Sequence, residues 1–119
     1  MTVINTKRVY EHLEESDGFR ILVDRLWPRG IKKEEAHFDI WLKEIAPSNE
    51  LRKWFNHEAG KWEDFKNKYK SELKKSAALE ELLALVKKHK VITLIYGAKD
   101  EERNQAVVLK EFLETRQNN

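Results

Sequence analysis

The sequence predicts a single α/β domain with a short, mostly parallel sheet of about three strands flanked by helices. Residues 21–23 form a continuous apolar run, and residues 91–96 are apolar or aromatic except for Thr93. Neither segment alternates between polar and apolar residues, which is typical of strands buried on both faces. The long stretch between them has helical spacing, and a connection of that length joins parallel strands. The chain has 119 residues, of which 40% are hydrophobic and 37% charged, so we predict that residues 1–119 form one domain.

Composition limits the classes of function. The sequence has no cysteine, which excludes disulfides and thiolate chemistry, and no apolar run approaches membrane-spanning length. We therefore predict a cytoplasmic protein that does not associate with membranes. The net charge of +2, from 23 basic and 21 acidic residues with interspersed signs, disfavours nucleic acid as a partner without excluding it. The four histidines lack paired spacing, so we predict no metal and no cofactor.

The first strand is predicted over residues 3–10, which are rich in β-branched and aromatic side chains. A polar connector over residues 11–18 ends in the turn signal Asp17-Gly18 and leads into the second strand. Since a parallel crossover usually takes a dozen or more residues, a connector this short favours an antiparallel hairpin. In a hairpin, the Arg8 end of the first strand would lie far from Asp24.

Helices are predicted through the middle of the chain. Residues 32–36 form one helical turn, and residues 38–45 have the spacing of an amphipathic helix that Pro47 ends. Ser48 is a good N-cap for a second short helix, which carries Leu51, Trp54 and Phe55 on its apolar face.

Two apolar stripes follow, and the chain then reaches the last strand and helix. The stripes over residues 62–73 and 79–86 predict either two helices or one helix bent near Ser76. After the strand over residues 91–96, Asp100 is the predicted cap of a final helix.

Charged and aromatic side chains follow the two strongest strands. Ligands bind outside the carboxyl ends of strands in a parallel sheet, so we expect these side chains to share one edge. The cluster contains the cations Arg25, Arg29 and Lys99, the carboxylates Asp24 and Asp100, and the rings of Trp27 and Tyr96.

Each member also has a purely structural interpretation. Arg25 and Arg29 suit a phosphate or carboxylate, but they suit ion pairs with Asp24 and Asp39 equally well. Asp24 is either a general base or the partner that orients an arginine, and the second role is the commoner one. Trp27 either stacks on a ligand ring or packs over the sheet edge.

A second group lies on the short helix after Ser48. Arg52 belongs to this helix, and His57 follows its end. If the helix packs against the strand edge, His57 can act as an acid or base; otherwise it is an ordinary surface histidine.

Four segments together resemble the YeaO-like proteins of the bacterial DUF488 family, whose name denotes a domain of unknown function. The match covers nearly the whole chain, and the Asp-Arg-Leu-Trp-Pro-Arg-Gly run is its most specific part. The segments are residues 22–30, residues 41–48, residues 51–55 with His57, and Tyr96 with residues 99–102 and Asn104.

The resemblance implies a small cytoplasmic α/β domain whose first two strands are parallel, and we follow it against the argument from connector length. The chain departs from the family pattern at Asn56, where the resemblance predicts glycine, and at Arg103, where it predicts histidine. The resemblance also implies that Arg8, Asp24, Arg25, Trp27, Arg29, Arg52, His57, Lys99, Asp100 and Asn104 form one set.

These observations predict a protein that binds an anionic small molecule, a phosphorylated compound or nucleotide derivative, at the carboxyl-terminal strand edge. Asp24 and His57 are the residues suited to proton transfer if a reaction occurs, and the sequence does not decide whether one does. One alternative is a nucleic-acid-binding or regulatory module that uses the lysines of residues 61–75. Another is an interaction protein whose tryptophans form a dimer face, because the sequence is compatible with a monomer or a homodimer.

Overall fold

The computed structural model describes residues 2–117, which form a four-stranded sheet and four α-helices. The predicted α/β class is confirmed, with four strands instead of about three. In chain order the elements are β1 (Val3–Arg8), β2 (Phe19–Leu22), β3 (Ile40–Trp41), α1 (Asn49–Phe55), α2 (Trp62–Lys75), α3 (Ala78–Lys88), β4 (Val91–Tyr96) and α4 (Gln105–Gln117).

All the strand pairs of the sheet are parallel, in the order β1-β4-β2-β3. Arg8 lies opposite Tyr96, and Leu22 lies opposite both Ile95 and Trp41. The carboxyl ends of the strands therefore meet at one edge, as predicted for β2 and β4. The parallel orientation of β1 is confirmed as well.

The connector from β1 to β2 passes over β4 without a helix, which is why it can be so short. Its 3₁₀ turn at Glu15–Asp17 is held to the sheet by the buried Asp17, which forms ion pairs with Lys7 and Arg20. The Thr93 hydroxyl donates to the Asp17 carbonyl at 2.6 Å. These contacts replace the packing that a crossover helix would supply.

Strand β4 is central and apolar on both faces. On one face, Ile92 and Leu94 join the main core, which all four helices cover. On the other face, Ile95 packs with Val9 and Leu22 in a smaller cluster beneath partly buried aromatic rings. Because both faces are covered, every position of the strand except Thr93 carries an apolar or aromatic side chain.

The helix predicted over residues 38–45 is wrong. Residues 40 and 41 form β3, which pairs with β2, and a 3₁₀ turn follows at Lys43–Ile45. Trp41 packs in the smaller cluster, whereas Leu42 and Ile45 belong to the main core. Successive side chains thus face opposite sides of the sheet, as they do in a strand and not on one face of a helix.

The other helical predictions are confirmed in outline. The Ser48 hydroxyl accepts from Leu51 N at 3.1 Å and caps α1, and the chain bends at Ser76 to give two helices, α2 and α3. The last helix begins at Gln105, later than a cap at Asp100 would place it. None of these helices, within residues 2–117, is long and apolar enough to cross a membrane.

Candidate functional site

A cavity of about 680 Å³ opens at the carboxyl-terminal edge of the sheet. Its walls come from the segment after β2, from α1 and the turn that follows it, and from the segment that joins β4 to α4. This volume lies in the range of roughly 300–1,000 Å³ that small-molecule sites occupy.

Seven of the eleven site residues predicted from sequence line this cavity. They come from three distant parts of the chain, which the parallel sheet and the packing of α1 bring together. The seven are Asp24, Arg25, Trp27, Arg29, Arg52, His57 and Asn104.

The other four lie beside the cavity and do not line it. Arg8 donates from Nε to the carbonyl of Ala98 at 3.0 Å and so supports a lining residue. Tyr96 is buried in the main core, and Lys99 is exposed to solvent. Asp100 organises the turn before α4.

The lining is strongly cationic. It includes five Arg or Lys side chains and, within residues 2–117, one carboxylate, that of Asp24. The five cations are Arg25, Arg29, Arg52, Lys53 and Arg103.

Asp24 is held by neutral groups and not by an arginine. Its Oδ2 accepts from Gly97 N at 2.8 Å, and its Oδ1 accepts from the Gln105 side-chain amide. Burial raises the pKa of this carboxyl to about 6, although both hydrogen bonds lower it. The pKa of this carboxyl therefore lies well above its ordinary value. The predicted role of orienting an arginine gains no support from its contacts.

Arg25 is anchored in the cavity wall. Its guanidinium donates to the carbonyls of Ala46 (3.1 Å) and Pro47 (3.2 Å), and it lies 3.7 Å from a carboxylate oxygen of Glu44. These contacts fix the segment that leads into α1. Arg25 consequently contributes positive charge to the cavity but has few donors left for a ligand.

Arg29, Arg52 and Lys53 are exposed at the cavity and are more available. Among the contacts within residues 2–117, Arg52 has one long hydrogen bond, 3.4 Å to Asn49 Oδ1, and the side chains of Arg29 and Lys53 have neither a hydrogen bond nor an ion pair. Arg29 is held through its main chain, since its carbonyl accepts from the Tyr10 hydroxyl at 3.0 Å. The backbone is thus positioned while the charged groups face solvent.

The end of α1 is an unusual turn that places His57 in the cavity lining. Asn56 and His57 are consecutive residues with positive φ, of 44° and 56°. Asparagine tolerates this left-handed region better than most residues, and glycine does so without penalty, which explains the glycine expected at position 56. Within the described residues, no hydrogen bond joins His57 to Asp24.

Asn104 is the N-cap of α4. Its Oδ1 accepts from Val107 N at 3.1 Å and its Nδ2 donates to the Asp100 carbonyl at 2.9 Å, while only 2% of the residue is exposed. Asp100 caps the preceding turn by accepting from Glu102 N and Arg103 N. The two caps together present Arg103 and Gln105 to the cavity.

Trp27 is mainly a packing residue. Its ring meets those of Phe38 and Trp41 edge-on, with centroids 5.6 and 5.4 Å away, and its Nε1 donates to the Ile31 carbonyl at 2.6 Å. Trp27 is also one of the residues that line the cavity. The sequence alternative of packing over the sheet edge agrees with these contacts.

Lys53, Gln105 and Tyr10 are lining residues that sequence reasoning missed. Gln105 could not be recognised from the sequence, because a glutamine at the start of a helix is not part of any distinctive motif. Lys53 adjoins Arg52, and this pair of neighbouring cations was the signal available. The sequence predicts Tyr10 in the first strand, but β1 ends at Arg8, and Tyr10 lines the cavity instead.

Comparison with known proteins agrees with the sequence resemblance. A family model described as "Inactive DUF488-N3 subclade" matches residues 3–119. An uncharacterized protein of Escherichia coli, YeaO, is 48% identical over 110 residues, which cover 92% of this chain and 96% of the relative. Uncharacterized proteins of Mycobacterium bovis and Mycobacterium tuberculosis are 41% identical over 115 residues, 97% of each chain. No solved structure matches the chain.

Proposed function

The chain belongs to the DUF488 family, and from the charge of its cavity we propose that it binds an anionic small molecule, a phosphorylated compound or nucleotide derivative. The observation that carries the proposal is the cationic lining, five Arg or Lys side chains against one half-buried carboxyl. Guanidinium groups match the geometry of phosphate and carboxylate, and a partly enclosed site strengthens the attraction.

Binding without turnover is the form of this proposal that the observations favour. The matching family model is described as inactive, and Arg103 stands where the resemblance predicts histidine. That exchange replaces a group that titrates near neutral pH with a permanent cation. Asp24 and His57, predicted for proton transfer, remain the residues to test if turnover is found.

The two alternatives from the sequence gain less support. Lys66 and Lys70 on α2 contact Glu111, with Nζ to carboxylate distances of 3.8 and 2.9 Å, so part of the basic face is neutralised. The Trp54 ring is covered by Lys61 and Lys68, each 5.0 Å from its centroid. The proposal keeps the predicted cytoplasmic location, which cell fractionation would test.

A thermal-shift screen against sugar phosphates, nucleotides and organic acids tests the proposal. We expect at least one phosphorylated compound to raise the Tm of the wild-type protein, because a ligand that binds the native state stabilises it. Arg29→Gln should abolish most of that shift without lowering the Tm of the free protein, since no side-chain contact of Arg29 holds the described fold together.

Arg116→Gln is the matched control. Arg116 is an exposed arginine near the end of α4, outside the cavity lining. The control variant should keep the full ligand-induced shift. A screen in which no anion stabilises the wild type, or in which both variants lose the shift equally, would refute binding at this cavity.

A further inference from the structure

Within the described part of the chain, the cavity carries more positive charge than its one lining carboxylate neutralises. Arg29, Arg52 and Lys53 have no ion-pair partner among the residues described, and Asp24 is the one carboxylate that faces them within residues 2–117. Two further cations form long ion pairs: Arg25 lies 3.7 Å from a carboxylate oxygen of Glu44, and Arg103 lies 3.5 Å from one of Asp100.

These cations stand on separate segments. Arg29 is on the loop after β2, whereas Arg52 and Lys53 are on the last turn of α1. Arg52 and Lys53 also lie at the helix end that favours positive charge, and this alone would account for cations there. It does not account for Arg29 or for Arg103, which lie on other walls of the same cavity.

The size of the cavity also favours a ligand larger than a single phosphate ion. A cavity of about 680 Å³ is far larger than a single phosphate ion and has the dimensions of a site for an organic molecule. Its mouth offers apolar surface, because Leu26 is 61% exposed and Tyr10 is 48% exposed, and both line the cavity.

We propose that the ligand carries two linked or neighbouring phosphate groups, such as a diphosphate ester, with Arg29 holding one group and the Arg52-Lys53 pair holding the other. This inference rests on the proposed function and specifies its ligand. Leu26 and Tyr10 would contact the organic part of the ester. Each phosphate would receive charge-assisted hydrogen bonds from a different wall.

Isothermal titration calorimetry with inorganic phosphate and with pyrophosphate, at matched ionic strength, tests the inference. We expect pyrophosphate to bind the wild type about tenfold more tightly or better, because it can engage both groups of cations. Arg29→Gln and Lys53→Gln should each weaken pyrophosphate binding about fivefold or more. For inorganic phosphate, at most one of the two variants should have an effect.

Lys74→Gln is the control, because Lys74 is an exposed lysine on α2 outside the cavity lining. It should bind pyrophosphate as the wild type does. Equal affinities for the two anions, or weakening of pyrophosphate by only one cavity variant, would overturn the two-phosphate inference while leaving anion binding intact. Failure of both anions to bind would overturn the two-phosphate inference, whereas the proposed function is decided separately by the thermal-shift screen with organic anions.

Discussion

Asp24 has a largely buried carboxyl group that forms no ion pair within residues 2–117. Its hydrogen bonds come from a backbone amide and a side-chain amide, which satisfy the oxygens without supplying positive charge. The carboxyl packs closely against Gly97, since a Cβ at that position would lie 2.9 Å from Asp24 Oδ2. Relative to the unfolded chain, the folded protein therefore favours the protonated form of Asp24, and stability should depend on pH through this residue.

Asp24→Asn isolates that dependence. The folded-state pKa of about 6 lies above the ordinary value of 3.8, so the native state holds the proton longer than the unfolded state does as pH rises. The free energy of unfolding of the wild type should fall between these two values, and the variant should lack this fall.

Denaturant unfolding at about pH 4.5 and at about pH 7.5 measures the effect. Asparagine is isosteric with the protonated acid and can keep both hydrogen bonds if the Gln105 amide flips. We expect the stability of the variant relative to the wild type to rise by about 1–3 kcal/mol from the lower to the higher pH. A difference that stays constant with pH would contradict the assignment.

Asn104 lines the cavity and also caps α4, and its contribution to stability can be measured without a ligand. Asn104→Ala removes the cap of α4 and leaves Val107 N and the Asp100 carbonyl without their partner. We expect a loss of about 1–3 kcal/mol in the free energy of unfolding by chemical denaturation. The control Asn67→Ala, at an exposed position of α2, should stay within about 0.5 kcal/mol of the wild type.

The sequence was informative about individual residues where the chemistry was unusual for a core. Asp24, Arg25 and Arg29 were found because charge follows a buried strand directly. The argument for Lys99 from a helix N-terminus does not hold, because it depended on a helix start at Asp100. The helix begins after Asn104, so Lys99 belongs to an exposed turn.

The crossover from β1 to β2 depends on a close approach to β4. Gly18 has a φ of +65°, and a Cβ there would lie 2.4 Å from the carbonyl oxygen of Val91. Position 18 therefore requires glycine if the connector is to pass this close to β4 and place β1 and β2 on either side of it. No sequence pattern distinguishes this glycine from that of an ordinary hairpin turn.

Gly18→Ala should destabilise the protein by about 2 kcal/mol or more, because the backbone conformation and the contact with Val91 are both violated. Gly60→Ala is the matched control, since a Cβ at Gly60 meets nothing within 4 Å and Gly60 does not have the left-handed φ of Gly18. We expect the control to be neutral or stabilising by up to about 1 kcal/mol. Equal Tm values for the two variants would show that the connector does not make this approach.

Elements were predictable where periodicity was unambiguous. Strand β4 was located to the residue because both of its faces are apolar, and Ser48 marked the start of α1. Residues 38–45 were not predictable in this way, because five apolar side chains in eight positions fit a helix and also fit a strand followed by a turn. Pairing with β2 decided the outcome, and the sequence does not display that tertiary contact.

For the whole molecule, the distribution of charge matters more than its sum. A net charge of +2 gave no indication of a binding site, yet five cations converge on one cavity when the fold brings the three segments together. Anion binding at such a site should weaken as ionic strength increases, because screening reduces the attraction of the exposed cations. The convergence could be predicted only in part, since it depends on where α1 packs.

The most direct measurement is a titration of the ¹⁵N-labelled protein with pyrophosphate, followed by amide chemical shifts in NMR spectra. Binding in the cavity should shift amides of three segments, residues 25–29, 52–57 and 97–105, and the side-chain amide of Gln105, with one common dissociation constant. Shifts confined to the lysines of α2, or the absence of saturable shifts, would contradict the assignment of this cavity as an anion site.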